Sequence, residues 1–359
     1  MICTFYDYTQ SQISSQEARS VVVIGNLDGL HLGHQSLIAL AATLASQGGA
    51  ALCALTFDPH PARYFASRAQ EGRRAPPMLY SVEDKLSLLA RLGVKRALCQ
   101  RFDATFAALS PEDFVGAVLC DALRACAVVV GEDFAFGAQR SGRVEDLRRL
   151  CGERGVEVRV APPLRAPTGE IYSSTWARAL VAEGQVEGAR QVLGRPYHLR
   201  GEVARGYQRG RSLGFPTANL ALHSDLCPAA GVYAGWLDWG EGPAPCVVSV
   251  GENPTFNEPH RLAGQQRWSV EAHALLSRCG FERHQPLDLY GREVILWFEG
   301  RLRDMLRFEG VEALRAQIAL DCEAALSRLG LAGEGVGVRE GCAPPAWPSA
   351  PPSAPSIPT

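Results

Sequence analysis

The sequence predicts an α/β domain followed by a small, mainly antiparallel β-barrel with a helix at its C-terminal end. In the first half, short apolar strands alternate with amphipathic helices, a pattern typical of a parallel sheet covered on both faces. In the second half, short apolar strands are separated by Gly and Pro turns, a pattern typical of a barrel or sandwich. The 359 residues, 47% of them hydrophobic, are enough to build two cores.

Short apolar runs in the first half are predicted as strands, because most of them are rich in β-branched residues. They are Val21–Ile24, Ala51–Phe57, Arg96–Cys99, Ala127–Val130 and Val156–Val160. Between these strands, Ser81 and Asp84 match a capping box that opens a helix over Lys85–Leu92. Ser110 is predicted to cap a further helix near Phe114–Arg124.

The second half begins with one or two short connecting helices within Leu180–Leu193. The predicted barrel strands are His198–Ala204, Gly231–Leu237, Ala244–Val250, Trp268–Leu275 and Glu293–Phe298. A long helix over Val311–Leu329 follows them, and the Pro-rich remainder is predicted to be disordered. The predicted limits are 1–183 for the first domain, 184–195 for a helical linker, 196–330 for the second domain and 331–359 for the tail.

Charge and cysteine usage exclude several function classes. A formal net charge of -2 gives no indication of a nucleic-acid partner, and no apolar run is long enough to span a membrane. The first ten residues lack the pattern of a signal peptide, and the 11 cysteines form no C-x-x-C pair. We therefore expect reduced thiols and a cytoplasmic location. Lys85 and Lys95, the two lysines, lie in no Walker-type loop, so other donors must hold any phosphate.

A glycine-rich turn joins the first predicted strand to a helix over Gln35–Ser46. It has the sequence GNLDGLHLGH from Gly25 to His34. A strand, a glycine-rich turn and a helix N-terminus form an anion site, because free backbone N–H groups and the positive end of the helix dipole meet there. His31 and His34 are three residues apart, so their rings are expected on one face. Two imidazoles there can neutralise charge that builds on a nucleoside triphosphate attacked at its α-phosphorus.

A second glycine-rich stretch ends in the sequence GFPTAN. Glycines let a backbone approach phosphates closely and present N–H donors to them. Those of this stretch are Gly201, Gly206, Gly210 and Gly214. Thr217 and Asn219 alternate along an extended segment, so both side-chain oxygens can face one Mg²⁺. Hard oxygen ligands suit that ion, and water and ATP phosphates would complete its octahedron.

GNLDGLHLGH resembles the signature of the nucleotidyltransferase superfamily, and specifically the FMN adenylyltransferase half of the prokaryotic bifunctional riboflavin kinase/FAD synthetase family. The segments FDPHP, GEDFAFG and SST with its following arginine are similar to that family in the same order. The resemblance implies a Rossmann-like nucleotidyltransferase fold. It implies ATP contacts from Gly25, Asn26, Asp28, His31, His34, Ser174, Thr175 and Arg178. It implies flavin contacts from Phe57, Pro59, His60, Asp133 and Phe134.

The stretch that ends in GFPTAN resembles the ATP-binding segment of riboflavin kinase, which implies a six-stranded β-barrel. By this resemblance ATP lies at the four glycines and at Pro216, Thr217 and Asn219, and Mg²⁺ lies at the last two. Glu271, in the segment SVEAH, is implied to be the general base that takes the proton from the riboflavin 5′-hydroxyl. Arg303 and Phe308 are implied to border the flavin.

The chain departs from the family pattern at a few positions. Leu27 stands where the family usually has Phe, and Ile171 and Tyr172 precede the SST segment where a basic residue is common. Ser277–Gln285 resembles an insertion, and Met305 stands where a glutamate is frequent. These departures bear on packing, on one phosphate contact and on flavin affinity, and they leave the candidate base and metal residues in place.

The leading hypothesis is an enzyme that makes FMN from riboflavin and ATP, and then FAD and pyrophosphate from FMN and ATP. Both steps would use Mg²⁺. The alternatives are a kinase with a degenerate N-terminal flavin-binding module, a flavin sensor that only binds, and a nucleotidyltransferase for another phosphate ester. The presence of His31, His34 and Arg178 argues against the first alternative, and a sensor would not need Glu271. The oligomeric state and the role of the tail stay open.

Overall fold

The computed structural model describes residues 3–10, 19–69, 74–204, 215–252, 268–276 and 288–331. The chain forms two compact units. Within the described residues, unit 1 contains the chain up to Pro77 and Val82–Ser174, and unit 2 contains Met78–Ser81 and the chain from Thr175 onward. The domain limits proposed at residues 183, 195 and 330 stay predictions, and the predicted tail lies almost wholly outside the described residues.

Unit 1 is built on a parallel sheet, as predicted, with the strand order β1-β4-β3-β2-β5-β6. Its strands are β1 Cys3–Phe5, β2 Ser20–Ile24, β3 Ala51–Asp58, β4 Arg96–Arg101, β5 Ala125–Gly131 and β6 Glu157–Ala161. The strands predicted from apolar runs are confirmed as β2 to β6. The sequence did not predict β1, because three residues carry too little pattern and only pairing with β4 reveals the strand.

Helices surround this sheet. They are α1 Leu32–Gln47, α2 Pro61–Arg68, α3 Val82–Arg91, α4 Ala104–Ala107, α5 Pro111–Asp113 and α6 Val144–Gly152. The predicted cap at Ser110 is confirmed, because its hydroxyl accepts a hydrogen bond from the backbone N–H of Asp113 at 3.0 Å. The helix predicted near Phe114–Arg124 differs from expectation, since Phe114–Ala122 is a π-helix. Its hydrogen bonds span five residues, a choice that apolar periodicity does not report.

The strand order places a topological switch between β2 and β5. From β2 the chain continues to β3 and β4 on one side of the sheet, whereas β5 and β6 lie on the other side. All five residues of β2 are buried, as expected of a strand covered on both faces. Since parallel strands end at the same edge, the turns that follow β2, β3 and β5 meet at the edge where α/β sheets bind ligands.

Unit 2 is a closed barrel with the strand order β10-β11-β8-β7-β12-β9, and its pairings are antiparallel. Its elements are α7 Ser174–Ala182, whose first residue belongs to unit 1, α8 Val186–Leu193, β7 Tyr197–Ala204, β8 Ala218–Leu222, β9 Gly231–Asp238, β10 Ala244–Glu252, β11 Trp268–Ala274, β12 Glu293–Arg303 and α9 Val311–Arg328. The predicted six-stranded barrel and its closing helix are confirmed. No helix within the described ranges combines the length and apolar character needed to cross a membrane.

A short segment from the first half of the chain packs within unit 2. Tyr80 stacks on His198 with ring centroids 4.5 Å apart, and the buried guanidinium of Arg195 lies 5.2 Å from the Tyr80 ring. The hydroxyl of Tyr197 lies 3.2 Å from the carbonyl oxygen of Leu79. Sequence patterns did not indicate this packing, because the contacts join residues more than one hundred positions apart.

Candidate active sites

The glycine-rich turn between β2 and α1 has an unusual backbone. Leu27, Gly29 and Leu30 have positive φ angles of 52°, 79° and 42°. Leu27 and Leu30 are fully buried. Non-glycine residues rarely adopt positive φ, and they do so where the surrounding structure holds the backbone in place. The turn is anchored further by the N–H of Gly25, which donates to the carbonyl oxygen of Leu55 on β3 at 3.1 Å.

The two histidines of this turn lie together, as the three-residue spacing predicts. His31 directly precedes α1, His34 is in its first turn, and their ring centroids are 3.8 Å apart. His31 is buried and His34 is half-buried. Gly33 explains how the rings fit, since a Cβ there would lie 3.0 Å from the His31 ring and 3.2 Å from the carbonyl oxygen of Tyr172. The paired imidazoles therefore stand at a helix N-terminus, where the helix dipole favours an anion.

The side chain of Ser174 reaches the same turn. Its hydroxyl donates to the carbonyl oxygen of Asp28 at 2.7 Å, and the Asp28 side chain is itself buried. Farther along α7, the guanidinium of Arg178 lies 3.4 Å from the exposed Thr175 hydroxyl. Unit 1 therefore brings Ser174 to the turn that carries the histidines. The proposed ATP contacts of Thr175 and Arg178 stay predictions.

The FDPHP segment closes β3 and opens α2. Phe57 packs on Phe102 and Phe106, with ring centroids 5.7 Å apart in both cases. His60 caps α2, because its Nδ1 accepts a hydrogen bond from the N–H of Ala62 at 3.0 Å. The exposed Pro59 lies between them. The histidine thus has a local structural role, and its contact with flavin stays a prediction.

An aromatic surface that motif reasoning missed adjoins Phe57. The rings of Tyr64 and Phe65 lie 5.2 Å and 5.7 Å from that of Phe102. The side chain of Phe65 is 51% exposed, an uncommon state for so large an apolar group. The available signal was the aromatic pair in the sequence PARYF directly after FDPHP. These rings offer stacking surface for a planar aromatic ligand.

The loop after β5 contains the other predicted flavin contacts. Asp133 is exposed in the turn that follows β5. Phe134 stacks on Phe136 with centroids 5.6 Å apart and planes inclined by 13°. Phe136 is buried against Phe114 in the core. Phe134 is therefore fixed by packing while it stays half-exposed.

A buried lysine, Lys85 on α3, contacts the C-terminal end of β3. The ammonium of Lys85 donates to Thr56 Oγ1 at 3.0 Å and to the carbonyl oxygen of Phe57 at 3.1 Å. The hydroxyl of Thr56 in turn donates to the carbonyl oxygen of Asn26 at 2.9 Å. Burial lowers the pKa of Lys85, and the nearby Cys99, Asp28 and Asp58 oppose that shift. No sequence motif identified this lysine as part of the site.

In unit 2, β8 and β11 bring the predicted metal residues and the predicted base together. Glu271 pairs with Asn219 in the register of these strands. Thr217 Oγ1 donates to Glu271 Oε2 at 3.3 Å, and Ser269 Oγ lies 3.5 Å from Glu271 Oε1. All of these side chains are partly accessible. The structure therefore brings the carboxylate of Glu271 beside Thr217 and Asn219. The catalytic role of Glu271 stays a prediction.

His273, on the same strand as Glu271, also contacts the GFPTAN segment. Its Nδ1 lies 2.8 Å from the carbonyl oxygen of Pro216, and its ring meets that of Phe215 edge-on at 5.4 Å. Because a carbonyl oxygen only accepts, Nδ1 carries the proton in this contact. Burial lowers the pKa of His273, although the hydrogen bond to Pro216 opposes that effect. The sequence contained this histidine in SVEAH but gave no reason to assign it a role.

Of the four glycines in the glycine-rich stretch, only Gly201 lies within the described residues. Gly206, Gly210 and Gly214 lie outside the described residues. Gly201 lies inside β7, where a Cβ would collide with the carbonyl oxygen of Ala221 on β8. Close packing of two strands therefore gives this glycine a structural reason of its own. Its place in a phosphate-binding arch and its contact with ATP stay predictions.

Arg303 forms an ion pair that the sequence did not predict. Its Nε and Nη2 donate to the two carboxylate oxygens of Asp321 on α9 at 2.8 Å and 2.6 Å. Gln317 donates to the same carboxylate at 3.0 Å. Two parallel bonds orient the guanidinium rigidly. Phe308 is half-buried in the segment between β12 and α9. The flavin contacts of Arg303 and Phe308 stay predictions.

The donor set in unit 2 fits a hard cation bound together with a nucleotide. Within the described ranges, no group of three or more His, Cys, Asp or Glu side chains could hold a metal ion. Thr217 and Asn219 offer neutral oxygens instead, and these suit Mg²⁺ when phosphates supply the remaining ligands. Because the Thr217 hydroxyl donates a hydrogen bond to Glu271, its oxygen lone pairs remain available to a cation.

Comparison with known proteins matches each half of the chain to a protein family. The family described as FAD synthetase matches residues 13–175, and the family described as riboflavin kinase matches residues 193–329. An Escherichia coli K12 protein named bifunctional riboflavin kinase/FMN adenylyltransferase is 35% identical over 302 residues, which cover 84% of this chain and 90% of that protein. The chain belongs to the bifunctional riboflavin kinase/FMN adenylyltransferase family.

Further relatives agree with this family membership. The Listeria monocytogenes protein of the same name is 36% identical, over 85% of this chain and 91% of its own length. The Bacillus subtilis protein of that name is 31% identical, over 88% and 94%. A crystal structure named as a macrolide-efflux protein of Streptococcus pneumoniae shares the fold with a TM-score of 0.75 and 29% identity, covering 90% of this chain and 98% of that one. Both family domains are therefore present in one chain.

Proposed function

We propose that this member of the bifunctional riboflavin kinase/FMN adenylyltransferase family phosphorylates riboflavin in unit 2 and adenylylates FMN in unit 1. The observation that carries the proposal is the presence of two separate constellations, each inside a domain of the matching family. Paired imidazoles at the N-terminus of α1 form one, and Thr217 with Glu271 forms the other. A kinase with a degenerate first domain would not need the first constellation.

In unit 2, Glu271 is the proposed general base. Its carboxylate takes the proton of the riboflavin 5′-hydroxyl, and the oxygen then attacks the γ-phosphorus of ATP to give FMN and ADP. Thr217 and Asn219 are the proposed ligands of Mg²⁺, which would neutralise charge on the phosphates. The hydrogen bond from Thr217 and the strand pairing with Asn219 bring the carboxylate close to both of these residues, which supports the proposal.

In unit 1, the reaction needs no base, because the attacking phosphate of FMN is already ionised. An FMN oxygen attacks the α-phosphorus of ATP, and pyrophosphate leaves. His31 and His34 would donate to the phosphate oxygens as negative charge moves onto them, with the N-terminus of α1 adding its backbone dipole. The exposed aromatic rings beside Phe57 would stack on the isoalloxazine of FMN.

Chromatography of the products tests the proposal directly. The protein is incubated with riboflavin, ATP and Mg²⁺, and in a second reaction with FMN, ATP and Mg²⁺. We expect FMN and FAD in the first reaction, and FAD with pyrophosphate in the second. FMN without FAD would favour a kinase with an inactive first domain. Binding of flavin without any product would favour a sensor and overturn the proposal.

A further inference from the structure

Lys85 is a buried cation in a chain that otherwise uses arginine. Of the 36 basic residues, only Lys85 and Lys95 are lysines. Lys95 is exposed, as lysines ordinarily are, whereas Lys85 on α3 is buried with 9% of its surface accessible. A buried ammonium destabilises a fold unless hydrogen bonds and opposite charges compensate for its lost hydration. The position of Lys85 therefore calls for a reason beyond packing.

The partners of Lys85 connect two walls of the adenylyltransferase site. One hydrogen bond reaches the carbonyl oxygen of Phe57, at the end of β3 that faces the proposed flavin position. The other reaches Thr56 Oγ1, and that hydroxyl donates to the carbonyl oxygen of Asn26 in the turn that carries the histidines. Thr56 is fully buried, so water does not compete for these bonds. The ammonium thus contacts the strand end on the proposed flavin side directly, and it contacts the turn on the proposed ATP side through the Thr56 hydroxyl.

The charge of Lys85 also acts on this edge of the sheet. The carboxylates of Asp28 and Asp58 lie close enough to interact electrostatically with it. Asp28 follows β2 and Asp58 is the last residue of β3, at the edge where unit 1 would receive the triphosphate of ATP and the phosphate of FMN. Two uncompensated carboxylates there would repel both substrates. A buried ammonium, which is little screened by salt, offsets that repulsion.

We propose that Lys85 is a positioning residue of FMN adenylyl transfer, which holds the turn at Asn26 and the strand end at Phe57 in one arrangement and balances the carboxylates beside them. It touches neither substrate in this arrangement and acts through Thr56 and the two backbone carbonyls. The inference rests on the proposed function of unit 1. It is independent of the reaction proposed for unit 2.

The test compares Lys85→Met with Lys95→Met, which makes the same change on the surface. Steady-state FAD formation gives kcat and KM for FMN and for ATP, flavin fluorescence gives the Kd of FMN, and FMN formation from riboflavin is measured in the same preparation. We expect Lys85→Met to lower kcat/KM for FAD formation by about tenfold or more, because small displacements of positioned substrates are costly. The rate of FMN formation by Lys85→Met should stay within about twofold of that of the parent chain. For Lys95→Met, the rates of both FMN and FAD formation should stay within the same range.

Substitutions of Thr56 separate positioning from simple packing. Thr56→Val keeps the shape and removes the hydroxyl relay, whereas Thr56→Ser keeps the hydroxyl and loses a methyl group. We expect FAD formation to fall in Thr56→Val and to be largely retained in Thr56→Ser. This pair also decides the matter if Lys85→Met loses both activities through misfolding. If the Ser variant were impaired as much as the Val variant, the packing of Thr56 would matter and the relay would not.

The outcomes for Lys85 and for unit 1 are distinguishable. A parent chain that makes no FAD from FMN and ATP would overturn the adenylyltransferase assignment itself. A parent chain that makes FAD, together with a Lys85→Met variant of unchanged kcat/KM and unchanged Kd for FMN, would overturn only the role of Lys85.

Discussion

Thr217 donates a hydrogen bond to Glu271 at 3.3 Å, across the pairing of β8 with β11 in the barrel. This contact links the residue proposed to bind Mg²⁺ with the residue proposed to accept the proton from riboflavin. The base and the metal position are thereby coupled through strand register, because moving either strand by one residue would turn one of the side chains to the opposite face.

Glu271→Gln should stop FMN formation and spare FAD formation from added FMN. The amide cannot take up the hydroxyl proton, so we expect kcat for the kinase to fall by about 10²- to 10⁴-fold. Product chromatography with riboflavin or with FMN as the substrate measures both steps. Glu202→Gln, an exposed change on strand β7, which does not pair with β11, is the matched control and should leave both rates unchanged. An unaltered kinase rate in Glu271→Gln would remove the carboxylate from the mechanism.

His273→Ala should raise the Mg²⁺ concentration that half-saturates the kinase. Loss of the hydrogen bond to Pro216 frees the residue directly before Thr217. A loss of about 1 kcal/mol in hydrogen bonding corresponds to a rise of roughly fivefold in the half-saturating Mg²⁺ concentration. His273→Asn can place an amide N–H near the position of Nδ1 and should recover much of the effect. Magnesium titrations of FMN formation at saturating ATP measure it. Identical titration curves for the Ala variant and the parent chain would contradict the prediction.

Gly33→Ala should impair FAD formation although a glycine has no side chain that could take part in the reaction. The new Cβ would lie 3.0 Å from the His31 ring and displace it from its position beside His34. We expect a loss of about tenfold in kcat/KM for FMN and no loss in the kinase. Gly48→Ala at the other end of α1 is the control, since the nearest neighbour of its new Cβ, the carbonyl oxygen of Leu44, would be 3.4 Å away.

Replacement of both histidines should have a larger effect than Gly33→Ala. The double variant His31→Ala, His34→Ala should lose FAD formation by about 10²-fold or more and retain FMN formation, because preorganised donors to the phosphates are removed. The two assays are run on one preparation, so the kinase rate confirms that the chain is folded. Comparable loss of both activities would indicate misfolding instead of a catalytic effect.

Asp321→Ala should destabilise unit 2 by about 3 kcal/mol, because it leaves the Arg303 guanidinium without its carboxylate in a largely buried position. Thermal unfolding followed by circular dichroism, with riboflavin kinase activity measured after each heating step, reports the change. Glu312→Ala removes an exposed carboxylate from the same helix and should have an effect below about 1 kcal/mol. Equal melting temperatures for the two variants would show that the ion pair contributes little.

Long buried strands and motif order could be predicted from the sequence, whereas short edge elements could not. The apolar runs of β2 and β5 suit strands that are covered on both faces, as those of a parallel α/β sheet are. The spacing of His31 and His34 sufficed to predict neighbouring rings, because three residues nearly complete one helical turn. In contrast, β1 depends on pairing with β4, and the π-helical form of Phe114–Ala122 depends on packing.

By itself the sequence determined the two domain types and the paired histidines, since each depends on residues close in the chain or on a repeated apolar pattern. The place of Glu271 beside GFPTAN depends on the pairing of β11 with β8. Only the tertiary structure decided the partners of Lys85, the ion pair of Arg303 with Asp321 and the packing of Tyr80 on His198. The physical reason is that these contacts depend on where each side chain lies in space and on how far it is removed from water. Both are set only when distant segments of the chain have packed together.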